Sequence, residues 1–435
     1  MSRGQHIILG LLLWLGATGG WAHAQKLERG PYLQLPTDSS MVIRWRTDKP
    51  SKGLVRWGLS PDSATNRVQH AGSLSEHVVQ LTRLKPNTRY FYAIGYETNQ
   101  WLTPAAPEFS FITPPRPGTV QPVRIWAVGD PGTASTNQSN VRNAFYQIHR
   151  QRPADLWLML GDNAYSSGTD AQFQRAVFDV YGAILRQTPV WPTLGNHDAM
   201  HADSPTLSGP YYDIFTLPTL GQSGGLSSGT EAYYSFDFAN VHFVCLDSED
   251  TDRSRDGAMA AWLRADLANT TRDWVIAYFH HPPYTKGSHD SDKHSDSAGR
   301  MTEMRENFLP ILESGGVDVV LTGHSHSYER SYLLNGHYGL STNLLPSMIL
   351  NAGSGRLDHE GSYGKNAGNA PHQGAVYICA GSSGQISGGK LNHPANWVSL
   401  NKLGSLLIDV DGLRADIRFI GDKGQLRDYF TIEKK

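Results

Sequence analysis

Five short stretches each hold side chains able to bind a metal or move a proton. They are Gly129-Asp130-Pro131-Gly132, Gly161-Asp162-Asn163-Ala164-Tyr165, Gly195-Asn196-His197-Asp198, His280-His281-Pro282-Pro283-Tyr284 and Gly323-His324-Ser325-His326. Together they offer carboxylate, phenol, amide and imidazole donors and no thiolate. That mixture suits iron, manganese or zinc better than calcium or magnesium, and the lack of a ligating cysteine argues against a structural zinc. Singly each stretch is a weak signal: a Gly-Asp at a strand end is usually a capped turn, and a His-x-His on a strand usually serves two unrelated environments. Jointly they carry more weight, because each one closes an apolar run.

Those runs, at 123–128, 156–160, 190–194, 274–279 and 317–321, together with another at 242–246, alternate with segments of helical spacing at 141–150, 171–185, 258–267 and 301–312. Continuous apolar strands alternating with amphipathic helices predict an α/β domain whose sheet is covered on both faces. In such sheets ligands bind at the carboxyl edge of the strands, which is where the five stretches fall. Runs at 348–350, 375–379, 405–410 and 413–420 read as added strands of the same domain, and the Gly-rich segments 221–229 and 353–374 read as loops. Upstream, from 27 to 114, the pattern is different: short alternating runs at 41–45, 53–57, 76–81, 90–94 and 109–112 predict an all-β sandwich. This region shows no metal or nucleophile constellation, so a supporting role is expected of it. Between the two regions, 113–122 holds four prolines and a glycine, a stiff boundary.

The bounds agree with an exported two-domain protein. A chain of 435 residues exceeds one ordinary core. A formal net charge of −2 with 18% charged residues excludes the basic excess that nucleic-acid binding needs. Residues 1–24 read as a signal peptide: Arg3, an apolar run at 7–15, then Ala22-His23-Ala24 before Gln25. The apolar run is shorter than the roughly 20 residues that span a bilayer, so cleavage and a periplasmic or extracellular protein, free of the membrane, are expected. The two cysteines, Cys245 and Cys379, each lie in an apolar run and read as buried thiols rather than a disulfide.

In order and content the five stretches resemble the metallophosphoesterase superfamily, and specifically the purple acid phosphatases. The superfamily at large shows Asp-x-His in the first stretch; here that stretch is Asp130-Pro131-Gly132, with Tyr165 of the second supplying the ligand instead. The segment 84–90, Leu-Lys-Pro-Asn-Thr-Arg-Tyr, also resembles the turn and tyrosine of fibronectin type III modules, which precede the catalytic domain in the larger members.

The resemblance implies a fibronectin type III-like sandwich over 27–114 and, over 122–435, a catalytic domain of two β-sheets flanked by helices, α/β/β/α. It implies a first metal held by Asp130, Tyr165 and His326, a second held by Asn196, His280 and His324, and Asp162 bridging them. The first would be Fe(III) and the second a divalent ion, Fe, Zn or Mn. It implies His197 as a substrate contact and His289 as the group that touches phosphate or protonates the leaving oxygen, with His281 and His294 as other histidines of that segment able to do so. Asp198 and Arg330 would support neighbours through hydrogen bonds to a ligating imidazole or the backbone. The implied activity is an exported dinuclear-metal acid phosphatase that hydrolyses small-molecule phosphomonoesters by attack of a metal-bound hydroxide. The alternatives are a phosphodiesterase or nucleotide-processing enzyme on the same site, or a non-catalytic binding protein that uses the sandwich.

Overall fold

The structure is a computed structural model that describes residues 25–97 and 100–435. The signal peptide expected at 1–24 lies outside the described residues.

The alternating runs of the N-terminal region form two antiparallel sheets. One orders Leu27–Gln34, Met41–Ser51 and Leu74–Leu81; the other orders Asn66–Gln69, Gly53–Gly58, Arg89–Tyr96 and Gln100–Trp101, with Ser110–Ile112 also paired to Arg89–Tyr96. Successive side chains of a strand face opposite ways, so Ile43, Trp45 and Val79 of one sheet meet Val55, Tyr92 and Ile94 of the other in a shared core. The hydroxyl of Tyr90 accepts the backbone N–H of Lys85 at 2.9 Å and closes the turn ahead of its strand.

Leu27–Gln34 is a strand that the sequence pattern did not announce, because its side chains answer to the other region. Tyr32 belongs to the C-terminal core and donates to the carbonyl of Ile214 at 2.8 Å. Arg29, fully buried, stacks on the Phe178 ring and bonds Asp170 at 2.9 Å. Arg46 bonds the same carboxylate at 2.7 Å. The sandwich is thus fastened to the segment that follows the Asp162–Tyr165 loop.

The C-terminal region is built on two seven-stranded sheets packed face to face. The first runs Val190–Pro192, Leu156–Met159, Val123–Val128, Gly404–Asp411, Arg414–Gly421, Leu426–Lys434 and Tyr363–Lys365; the second runs Tyr234–Phe238, Val241–Cys245, Trp274–Tyr278, Val319–Thr322, Val376–Ala380, Tyr328–Ser331 and Asn396–Leu400. Strands that read as continuous apolar runs are the parallel ones, buried on both faces. Between the sheets, Trp191 stacks on Phe236 at 3.7 Å and Tyr328 on Phe419 at 4.0 Å. Helix Thr136–His149 covers the first sheet, its Phe145 stacked on Trp126 at 4.1 Å, and helices Ala258–Asn269 and Leu309–Ser314 lie against the second, giving the order α/β/β/α. Each sheet is therefore covered by helices on one face and by its partner sheet on the other.

Several local expectations differ from what is found. The helix read at 141–150 starts at Thr136, because the Ser135 side chain accepts the N–H of Gln138 and caps it. The helices read at 171–185 and 301–312 each contain a π-turn, Gln174–Phe178 and Met304–Phe308, an insertion that helical periodicity does not reveal. The run at 348–350 forms Ile349–Asn351, which pairs with Leu333–Leu334 in a separate two-stranded sheet and extends neither large one. The loop expected over 353–374 contains Tyr363–Lys365, a parallel edge strand on Leu426–Lys434. Lys365 anchors it by reaching the buried carboxylate of Asp318 at 2.6 Å, a contact that local composition cannot express. Cys245 and Cys379 are both free and buried.

Candidate metal centre

Seven parallel strands, three in the first sheet and four in the second, point their carboxyl ends at one edge. The loops that leave them carry all of the expected ligands. These loops touch, and glycine makes the contact possible. A Cβ at Gly195 would stand 2.0 Å from the backbone nitrogen of Asp162, and one at Gly323 would stand 2.4 Å from Oδ2 of Asp130.

The ligand residues themselves are strained. Asp130, Asp162 and His324 have φ of +54°, +53° and +67°, a left-handed conformation that costs a non-glycine residue on the order of 1–3 kcal/mol. Cross-loop bonds hold it: Asp130 Oδ2 accepts the N–H of His324 at 2.7 Å, and Asp162 Oδ1 accepts that of His197 at 2.9 Å. Asp198, expected to support a neighbour, accepts the backbone N–H groups of Asn163, Ala164 and Gly195 at 3.0, 3.1 and 3.1 Å. Burial, then the nearby Asp162 carboxylate, push its pKa up to about 7.

Two pockets of donor atoms result. In the first, the Tyr165 hydroxyl stands 3.2 Å from Asp130 Oδ1, 2.9 Å from Asp162 Oδ2 and 3.1 Å from His326 Nε2. In the second, Asn196 Oδ1 stands 3.1 Å from His280 Nε2 and 3.0 Å from His324 Nδ1, and those two nitrogens are 3.2 Å apart. Asp162 lies between the pockets, its Oδ1 3.5 Å from His280 Nε2. Nδ1 of His280 gives its proton to the carbonyl of Leu160 at 2.9 Å, so Nε2 carries a lone pair when the ring is neutral.

The first pocket therefore gathers two carboxylate oxygens and an imidazole nitrogen around one phenol, and the second sets an amide oxygen against two imidazole nitrogens. Donor atoms about 2.1 Å from a common ion stand roughly 3 Å apart, the spacing seen in both pockets. The residues present thus fit two cations. Electrostatics point the same way. Burial and then Asp130 raise the pKa of Asp162. Burial, Asp130 and Asp162 hold the Tyr165 phenol well above its ordinary value. Burial and the surrounding histidines keep His324 well below its own.

Of the residues expected to act on substrate, His197 and His289 are open, with side chains 34% and 30% exposed, whereas His280 is fully buried. His197 bonds the carbonyl of Ser166 through Nδ1 at 2.5 Å, which turns Nε2 toward Asp162 Oδ2 at 3.9 Å. His289 bonds Asp296 through Nδ1 at 2.8 Å, with its ring stacked 3.9 Å from that of His324. His281 is buried, bonded to Ser248 and packed on His324 at 4.4 Å, so it cannot meet a substrate. His294 is exposed, its ring beside the backbone of Gly299. Arg330 pairs with Asp428 at 2.6 Å, tying the second sheet to the first, and bonds the backbone carbonyl of Ser354 at 3.1 Å.

Sequence reasoning missed Gln385 and Ser387, whose side chains stand 3.3 and 3.0 Å from the ring nitrogens of His326. They follow strand Val376–Ala380, whose carboxyl end shares the same edge; that position is the signal that would have found them.

A calcineurin-like phosphoesterase family model matches residues 123–328, and a model of the purple acid phosphatase N-terminal domain matches 29–113. Residues 123–328 thus match a calcineurin-like phosphoesterase domain and residues 29–113 the domain that precedes it in purple acid phosphatases. Within that class the chain is similar to purple acid phosphatases, a family that uses a dinuclear metal centre. It is 27% identical to purple acid phosphatase 18 of Arabidopsis thaliana, over 70% of this chain and 66% of that one. It is 31% identical to purple acid phosphatase 22 of the same plant, over 58% and 53%. The chain thus spans less than two thirds of the length of these curated relatives. Its fold is similar to that of the purple acid phosphatase PPD1 of yellow lupin (Lupinus luteus) seeds, with a TM-score of 0.70, 18% identity and coverage of 95% of this chain and 75% of that one.

Proposed function

We propose that this chain is an exported dinuclear-metal acid phosphatase that hydrolyses phosphomonoesters. The observation that carries the reading is the convergence of oxygen and imidazole atoms in two adjacent pockets, above all Asn196 Oδ1, His280 Nε2 and His324 Nδ1, which stand 3.0–3.2 Å from one another. Asp130, Tyr165 and His326 hold one ion, Fe(III); Asn196, His280 and His324 hold the other, a divalent Fe, Zn or Mn; Asp162 serves both. Bound cations supply Lewis acidity toward phosphoryl oxygens and lower the pKa of water at the site. The chain's own groups do the rest. Asp198 fixes the backbone that carries Asp162. His197 offers Nε2 to a phosphate oxygen. His289, its Nδ1 engaged by Asp296, offers Nε2 to the phosphate or, as a proton donor, to the leaving oxygen. The division into a fibronectin type III-like sandwich over 27–114 and a catalytic domain over 122–435, behind a cleaved signal at 1–24, is part of the same reading.

The experiment is metal analysis with a visible spectrum, followed by turnover of a monoester and a diester. Two metals, a tyrosinate charge-transfer band and monoester preference are expected. A colourless protein with two zinc ions removes the ferric assignment, diester preference replaces the monoesterase with the phosphodiesterase, and a metal-free inert protein removes the activity.

A further inference from the structure

We propose that Asp296, acting through Ser297, is a positioning residue that sets the ring tautomers of two histidines at once: His324, a ligand in the reading above, and His289, its substrate-facing histidine. The inference rests on that reading for the roles of the two rings and on hydrogen bonds for their orientation. Nε2 of His324 lies 2.6 Å from Ser297 Oγ, Ser297 Oγ lies 3.0 Å from Asp296 Oδ1, and Nδ1 of His289 lies 2.8 Å from that same oxygen. An ionised carboxylate only accepts, so both the Ser297 hydroxyl and the His289 Nδ1–H point at Asp296. With its proton so directed, Ser297 Oγ accepts from His324 Nε2–H. The lone pair of His324 is then at Nδ1, the nitrogen 3.0 Å from Asn196 Oδ1. His289, protonated at Nδ1, keeps Nε2 free for substrate.

The other ligand rings are oriented by separate partners, His280 by the Leu160 carbonyl and His326 by the Ser387 hydroxyl. These two turn Nε2 to their pockets, whereas His324 turns Nδ1 to its own. Ser297 is the group that makes that difference.

Backbone conformation bears this out. Ser297 and Ala298, neither a glycine, have φ of +52° and +50°, a conformation that persists only where its surroundings over-determine it. Here Asp296 Oδ2 accepts the N–H of Asp290 at 2.9 Å, and Arg300 donates to the Ser297 carbonyl at 3.2 Å while bonding Glu249 at 2.8 Å. What the strain secures is the aim of one hydroxyl and one carboxylate at two imidazoles.

The test uses the full chain labelled with 15N-histidine, metal-free at pH 8, with two-bond nitrogen–proton spectra and a zinc titration of wild type, Ser297→Ala and Asp296→Ala. In wild type, His324 should carry its proton on Nε2 and His289 on Nδ1. Ser297→Ala should release the His324 tautomer, weaken zinc about 10- to 100-fold and leave the His289 signal as it was, which also reports that the variant is folded. Asp296→Ala should release both rings. A wild-type His324 protonated on Nδ1, or a Ser297→Ala protein with unchanged His324 signal and zinc affinity, overturns the proposal. None of these readouts needs turnover, so a protein that behaves as expected but hydrolyses no ester keeps the positioning role and loses the phosphatase reading.

Discussion

Two buried clusters of aspartate and histidine lie toward opposite ends of the second sheet's strands, and they are chemically unlike. In one, His242 bonds Asp237 at 2.8 Å through Nδ1 and Asp266 at 2.9 Å through Nε2. Burial opposes its charge, yet the bonds to the two carboxylates prevail and raise its pKa to about 9. The second oxygen of Asp266 accepts the Leu226 N–H and the Ser235 hydroxyl, each at 2.7 Å. Protons and lone pairs match, so the cluster is complete as an ion triad and ties the 221–226 loop to helix Ala258–Asn269. In the other cluster, around Asp162, carboxylate, amide and imidazole atoms from several loops converge on shared points, and burial holds His324 well below its ordinary pKa. Residue type and burial are alike; two carboxylates bracketing one imidazole make a structural cluster, whereas several ligand atoms converging on shared points make a cation site.

The comparison can be broken most sharply at Asp162. Asp162→Ala should lower kcat by roughly 1,000-fold or more and abolish retention of metal, read by elemental analysis and phosphate release; retained metal would erase the distinction. Next comes the closed cluster: His242→Leu leaves two carboxylates facing each other and should cost about 3–5 kcal/mol in denaturant unfolding, with metal content of the folded protein unchanged.

A third effect follows from the raised pKa of His242. Its folded value of about 9 exceeds the unfolded value of about 6.5. The stability it contributes is full below about pH 6.5 and is lost as pH rises through about 9, on the order of 3 kcal/mol in all. Wild-type Tm should therefore fall across that window relative to His242→Leu; parallel Tm profiles would refute the charged triad. The smallest effect is expected at an open residue beside the centre. His197→Ala should lower kcat about 100-fold while metal content stays at the wild-type level, and loss of metal would make it a ligand instead of a substrate contact.

Much of the candidate site was legible because its signals are local. Asp130, Asp162, Asn196, His280 and His324 each follow an apolar run, and a run buried on both faces is recognisable one strand at a time. The π-turns at Gln174–Phe178 and Met304–Phe308, the edge strand Tyr363–Lys365 and the docking strand Leu27–Gln34 were not legible. Each depends on partners far along the chain: Arg29 answers to Asp170, and Lys365 to Asp318. His281 and His289 look alike in sequence, nine residues or fewer from His280, yet one is sealed under the pocket and the other stands at its mouth.

By itself the sequence determined the inventory and its order: which donors exist, that each closes a strand, and that glycine precedes Asp130, Asp162, Asn196 and His324. Those are properties of a residue and its near neighbours. Only the tertiary structure decided why glycine stands at 195 and 323, where a Cβ would meet Asp162 and Asp130. It alone decided which nitrogen of each imidazole faces a pocket. A tautomer is set by the partner on the ring's far side, and for His324 that partner is Ser297, 27 residues away in sequence and 2.6 Å away in space.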